Sequence, residues 1–225
     1  RNVSFGYGET EVLHQVSFSQ PRNTLFALVG PSGGGKTTIA NLLARFWDVQ
    51  KGSVLVRGVD IRRLPLGTLM DHISMVFQNV YLFHDTIYNN IAMGRPDASR
   101  EEVIEAAKQA RCYDFIMALP DGFDTMVGEG GANLSGGERQ RISIARCILK
   151  DAPIVILDEA TANVDADNES YIQEAISSLC RGKTLLVIAH RLNTIFHADR
   201  ILVVERGAIV QAGRHEELAA QEGVY

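Results

Sequence analysis

Three short apolar runs constrain the fold of this 225-residue chain most: TLFALVG at 24–30, APIVILDE at 152–159 and KTLLVIAH at 183–190. Each is a near-continuous Val/Ile/Leu stretch without polar alternation, the pattern of strands buried on both faces in a parallel sheet covered by helices. Helical patterns lie between them. TTIANLLARFW spaces Ile39, Leu42, Leu43 and Phe46 at i, i+3, i+4 and i+7 on one apolar face, and Ile142, Ala145, Ile148 and Leu149 make a similar apolar face at i, i+3, i+6 and i+7. Val3 to Phe18 and Gly52 to Val59 alternate like half-buried strands, which predicts an antiparallel region at the amino end. Residues 86–127 hold no strong strand but contain SREEVIEAAKQA, with Ser99 and Glu102 in capping-box spacing, and read as a helical insertion. The expected class is α/β, as one domain or one domain with an inserted subdomain.

Charge and composition exclude several functions. Lys and Arg total 22 against 27 Asp and Glu, a net charge of -5 with no dense basic run, so a nucleic-acid partner is disfavoured. No apolar run approaches the ~20 residues of a membrane-spanning helix, and no signal peptide opens the chain. Cys112, Cys147 and Cys180 are far apart and lack metal spacing, as expected in a reducing compartment. The chain starts RNVSF without Met and enters the alternating Val3, Phe5, Tyr7 pattern at once, so it is expected to be excised from a longer protein.

The carboxyl ends of the three apolar runs carry the chemistry, because ligands of open α/β sheets bind outside the carboxyl ends of the strands. The first ends in GPSGGGKTT: Gly30, Pro31, Ser32, Gly33, Gly34, Gly35, Lys36, Thr37 and Thr38. Strand, GxxxxGK, Thr, then helix is the phosphate-cradling pattern. Glycines let backbone N–H groups wrap the oxygens, Lys36 reaches the outer phosphates, and Thr37 can ligate Mg2+. The second run ends in Asp158, placed to hold the metal, and Glu159, placed to polarise an attacking water. His190 ends the third and is either a structural residue or a hydrogen-bond partner of the terminal phosphate. Gln78, in MVFQNVY, is either a loop residue or an amide ligand to the metal or water.

A second glycine turn, LSGGERQRISIAR at 134–146, also opens a helix. Ser135 and Glu138 have capping-box spacing, which leaves Gly136 and Gly137 unexplained. Two residues that cost up to ~1 kcal/mol each inside a helix suggest that the capped terminus also admits an anion.

In order, GPSGGGKT, Gln78, LSGGERQ, IVILDE, ANVD and His190 resemble the nucleotide-binding cassette of ATP-binding cassette (ABC) transporters, from Tyr7 to HEEL at 215–218. LSGGERQ is highly specific to that family. The resemblance implies a single ABC ATPase domain over residues 1–225: a P-loop NTPase, RecA-like core with a mainly parallel sheet, an amino-terminal antiparallel β region and an inserted helical subdomain at approximately 86–150. It implies ATP and Mg2+ as cofactors, and a head-to-tail dimer, homo- or heteromeric, in which Ser135, Gly136 and Gly137 of one copy close over ATP held by the other. Tyr7 would stack on adenine, Asp165 would cross the dimer interface, Asp158, Thr37 and Gln78 would serve the metal, and Glu159, His190, Gln78 and Lys36 the reaction. Tyr7 also reads as a packed strand residue and Asp165 as a turn residue.

TMVGEGG at 125–131 and VFQNVYLFHDTIYNNI at 76–91 are similar to segments that exporters place against the coupling helices of their transmembrane domains, though Tyr81, Leu82 and Phe83 read equally well as packing of the helical insertion. The implied location is the cytoplasmic face of a membrane, such as a bacterial inner membrane. Ala162 and Asn163 depart from the family's DEATS, and Gly34 replaces a frequent Ser. The alternatives are an exporter-fold importer of siderophores, a soluble ABC ATPase of repair or translation, and a small-molecule phosphotransferase. Repair types place a long coiled coil between the two glycine turns, translation types carry two cassettes, and a phosphotransferase has no use for LSGGERQ.

Overall fold

The computed structural model describes residues 1–159, 166–189 and 195–225, which divide between two compact units. The first comprises Arg1–Ile73, Ile154–Glu159 and Lys183–Tyr225, and the second Ser74–Pro153 with the described part of Ala160–Gly182. No described helix is long and apolar enough to cross a membrane.

The first unit opens with a hairpin of β1 (Val3–Tyr7) and β2 (Thr10–Val16), paired antiparallel from Val3 with Val16 to Tyr7 with Thr10. Next come β3 (Leu25–Val29), α1 (Lys36–Leu43), the two-residue strands β4 (Leu55–Val56) and β5 (Val59–Asp60), and α2 (Leu66–Asp71). Strand β6 (Ile73–Val76) leads into the second unit, which holds α3 (Ile87–Ala92), α4 (Arg100–Gln109), α5 (Tyr113–Ala118), α6 (Gly136–Lys150) and α7 (Ala166–Cys180). The chain returns to the first unit for β7 (Ile154–Asp158), β8 (Thr184–Ile188), β9 (Arg200–Glu205), β10 (Ala208–Gly213) and α8 (His215–Ala219).

The three apolar runs are β3, β7 and β8, adjacent and parallel in the order β3-β8-β7, with β9 parallel on the other side of β3 and β10 antiparallel to β9 at the edge. Burial on both faces explains the missing alternation. Ala27, Val29, Ile201 and Val203 belong to one apolar cluster, while Phe26, Leu28, Leu202 and Val204, at the alternating positions, are equally buried. Each large aliphatic side chain so enclosed contributes ~1.5–3 kcal/mol before the cost of ordering the chain.

Two helix expectations need correction. Helix α1 stops at Leu43, before Phe46, because Arg45 takes a left-handed conformation (φ 56). Phe46 therefore falls off the buried stripe of Ile39 and Leu42 and is 49% exposed. In α6, Ile142, Ala145 and Leu149 are buried but Ile148 only partly. Both capping boxes form, Ser99 with Glu102 and Ser135 with Glu138.

Candidate nucleotide-binding site

Strand register aligns the site. Leu28 pairs with Ile188 and Ile188 with Asp158, so β3, β8 and β7 end level and their carboxyl ends project from one edge. Two residues beyond Leu28 the chain enters the turn Gly30–Gly35. Gly30, Gly33 and Gly35 have positive φ (129, 75 and 107), which side chains rarely adopt. At Gly30 a Cβ would also overlap the Val204 carbonyl oxygen, and at Gly35 it would sit 2.7 Å from Leu13 Cδ2. Gly35 then caps α1 without any side-chain bond, leaving the helix's first turn to whatever lies in the cradle.

Lys36 is buried, 5% exposed, and its Nζ donates to the carbonyls of Gly30 (2.8 Å) and Pro31 (2.9 Å) across the turn it follows. Burial lowers its pKa, and the carboxylates of Glu159 and Asp158 act in the opposite direction. That coupling brings the phosphate loop and the end of β7 into one electrostatic site. Asp158 is 7% exposed. Glu159 is partly buried and left-handed (φ 48), and its N–H donates to the Ile188 carbonyl at 3.2 Å. A non-glycine residue held there costs about 1–2 kcal/mol, and such strain clusters at functional sites. Pro31, Ser32, Gly33 and Thr37 are exposed; Gly34, Gly35 and Thr38 are buried. The glycine cradle and uncapped helix fit a polyphosphate, and the Thr37 hydroxyl with the Asp158 carboxylate supplies the hard oxygen donors that Mg2+ takes.

Sequence reasoning missed one supporting element. The β9–β10 turn, with Arg206 and Gly207 at φ 46 and 77, braces the cradle: Gly207 N–H donates to the Gly34 carbonyl (2.9 Å), and His14 N–H to that of Gly207 (2.8 Å). ILVVE followed by Arg-Gly was the available signal for this hairpin.

Tyr7 stands at the end of β1, on the hairpin whose Leu13 packs below Gly35, and is 43% exposed. It meets Phe5 and Trp47 edge-on, at centroid separations of 5.1 and 5.6 Å.

Gln78 and the Ser135–Gly137 turn belong to the second unit. Gln78, Ser135 and Gly136 are exposed, and Gly137 is buried. Ser135 Oγ accepts from Glu138 N–H (3.2 Å), and Ser135 N–H donates to Glu138 Oε2 (2.7 Å), so the capping box does not use the N–H groups of Gly136 and Gly137. Gly137 has a packing reason as well. A Cβ there would lie 2.6 Å from Asn168 Cβ and 2.7 Å from its Cγ, in α7, while Arg141 Nη2 donates to Asn168 Oδ1 at 2.9 Å. Asp165 and His190, like Ala162 and Asn163, lie outside the described residues.

In the same unit, Val127 N–H donates to the Asp85 carbonyl (2.9 Å) and Ile87 N–H to that of Thr125 (3.0 Å), zipping segment 81–87 to segment 125–127. The buried Asn90 fixes this turn, bonding the Phe83 N–H (2.9 Å) and carbonyl (3.0 Å) and accepting from Arg146 (3.2 Å). Leu82 is buried, whereas Tyr81, Phe83 and Met126 are exposed.

Comparison with known proteins gives the family. The ABC transporter family model matches residues 13–162. An ATP-dependent lipid A-core flippase of Desulfotalea psychrophila is 52% identical over 224 residues, covering 100% of this chain and 39% of the relative. A Bacillus subtilis protein named for multidrug export as an ATP-binding/permease protein is 50% identical over 227 residues, again 100% of this chain and 39% of its own length. The solved structure of a bacterial Atm1-family ABC exporter with ATP bound superposes with a TM-score of 0.93 at 46% identity, covering 100% of this chain and 39% of that one. This chain thus spans about two fifths of the relatives it matches. It belongs to the ABC transporter family.

Proposed function

We propose that the chain is the motor of a membrane exporter: it binds ATP with Mg2+ and pairs head to tail with a second cassette, and hydrolysis resets the pair. The observation that carries this is the level ending of β3, β8 and β7, which sets the Gly30–Gly35 cradle, Lys36, Asp158 and Glu159 at one edge of one sheet. Lys36 and the first turn of α1 hold the phosphates, and Asp158 with Thr37 holds the metal, which neutralises charge on the transferring group. Glu159 accepts a proton from the attacking water. Gln78 and His190 sense the terminal phosphate, and Tyr7 carries the adenine.

Ser135, Gly136 and Gly137 serve the partner's nucleotide, the role that accounts for a second glycine turn, and Asp165 faces the partner. Sharing two triphosphates between two copies makes ATP the adhesive of the dimer. The zipped segments 81–87 and 125–127, with Tyr81, Phe83 and Met126 exposed, dock coupling helices of a transmembrane domain at the cytoplasmic face of a bacterial inner membrane. The relatives' names divide between lipid A-core and multidrug export, so cargo is chosen outside the matched segment.

Glu159→Gln keeps the shape of the residue and removes its basicity. It is expected to give an ATP-dependent dimer by size-exclusion chromatography, with little phosphate release. A monomer at saturating Mg-ATP, in a variant that still binds nucleotide, overturns the proposal.

A further inference from the structure

The segment that leaves α1 returns to the base of Tyr7. Phe46 N–H bonds back to the Asn41 carbonyl at 2.9 Å, and Arg45 is pinned by guanidinium bonds to the carbonyls of Ile61 (2.9 Å) and Leu64 (2.8 Å). The reversal delivers Trp47 edge-on to Tyr7, 83° from its plane, while Phe5 stands at 90° to the same ring. Three residues later, Gln50 grips the peptide beside Tyr7: Gly6 N–H donates to Gln50 Oε1, and Gln50 Nε2 donates to the Gly6 carbonyl, both at 3.0 Å. Burial does not explain this placement of Trp47, which remains 53% exposed. A ring that wet forfeits much of its hydrophobic gain, and what its edge supplies is orientation.

We propose that Trp47 and Gln50 are positioning residues for the nucleotide base, holding the Tyr7 ring at a fixed tilt before the base arrives. The proposal rests on the reading of Tyr7 as the adenine platform. An unheld tyrosine would lose side-chain entropy on stacking; one already clamped by a ring edge and a gripped backbone does not, so affinity rises without a new contact to the ligand. Neither residue belongs to the Gly30–Gly35 cradle. Helix α1 runs from Lys36 at the cradle to Leu43, just ahead of this segment, and so joins the phosphate end of the site to the base end.

Inorganic tripolyphosphate separates the two ends, because it engages the cradle and has no base. Calorimetric titration with ATP and with tripolyphosphate is to be run on the parent chain and on Tyr7→Ala, Trp47→Ala, Trp47→Phe and Gln50→Leu. Trp47→Ala is expected to weaken ATP by about 3- to 10-fold, the worth of an aromatic edge contact, with tripolyphosphate unchanged and Trp47→Phe restoring most of the loss. Gln50→Leu should shift in the same direction. Trp47 is the single tryptophan, so its emission should respond to ATP and not to tripolyphosphate.

If Tyr7→Ala weakens ATP while Trp47→Ala and Gln50→Leu do not, the positioning role is overturned and the platform stands. If Tyr7→Ala itself leaves ATP affinity intact, the platform falls and the positioning role with it. Equal loss of both ligands in Trp47→Ala and in Gln50→Leu marks a merely structural effect and also overturns the proposal.

Discussion

Gly137→Ala sets two effects against each other. Within a helix the change gains up to ~1 kcal/mol from reduced backbone freedom in the unfolded chain. Against that, the added methyl would stand 2.6 Å from Asn168 Cβ and 2.7 Å from Cγ, atoms close to the α7 backbone that cannot swing aside. Separating α6 from α7 also stretches the 2.9 Å bond from Arg141 to Asn168. Overpacking of this kind costs ~1–3 kcal/mol, so the clash outweighs the gain by up to about 2 kcal/mol. For a chain of this length, that lowers Tm by up to roughly 8 °C. Circular dichroism melts of the four members of a double-mutant cycle, with Asn168→Gly as the second change, provide the assay. In the Asn168→Gly background the added methyl is expected to be neutral or stabilising, because the atoms it strikes are gone. A Gly137→Ala variant as stable as the parent, or one whose loss is the same in both backgrounds, refutes the claim that packing against α7 requires this glycine.

Other perturbations have equally definite outcomes. Asn90→Leu strands the Phe83 N–H and the Arg146 guanidinium contact in a buried site and is expected to cost about 2–4 kcal/mol, read from the urea midpoint. Burial raises the Cys112 thiol from 9.0 to about 12, so this group's contribution to stability is complete below pH 9.0 and is lost as pH climbs toward 12. Cys112→Ala should flatten that alkaline decline in pH-dependent melts. Cys112 and Cys147 are buried and Cys180 is partly exposed, so a thiol reagent should modify Cys180 in the folded chain and the other two only on unfolding.

The sheet was legible because burial on both faces leaves an unmistakable mark: β3, β7 and β8 are the three runs without polar alternation. The cradle was legible for a similar reason, since few residues other than glycine adopt the conformations at Gly30, Gly33 and Gly35. Pattern failed where tertiary contacts decide. Phe46 fits the helical spacing, yet the left-handed Arg45, anchored to Ile61 and Leu64, ends the helix first. The phosphate argument for Gly137 omitted Asn168, a neighbour 31 positions away that only the α6–α7 packing discloses. The Gly207 brace depends on bonds from the β9–β10 turn to Gly34 and His14, residues remote along the chain. Nor does spacing connect Trp47 and Gln50 with Tyr7, which are remote along the chain and adjacent only through the turn after α1.

Complementation between two inactive chains tests the shared active centre most directly. Lys36→Ala removes the phosphate grip of a copy's own cradle, and Ser135→Arg blocks the turn it offers to its partner. Each variant alone should release almost no phosphate from ATP in a single turnover. Mixed in equal amounts, they form pairs in which the intact cradle of one faces the intact Ser135 turn of the other, and phosphate release should reappear, rising with protein concentration. A mixture as inactive as its components, although the two chains demonstrably associate, would contradict the account; so would full activity in Ser135→Arg alone.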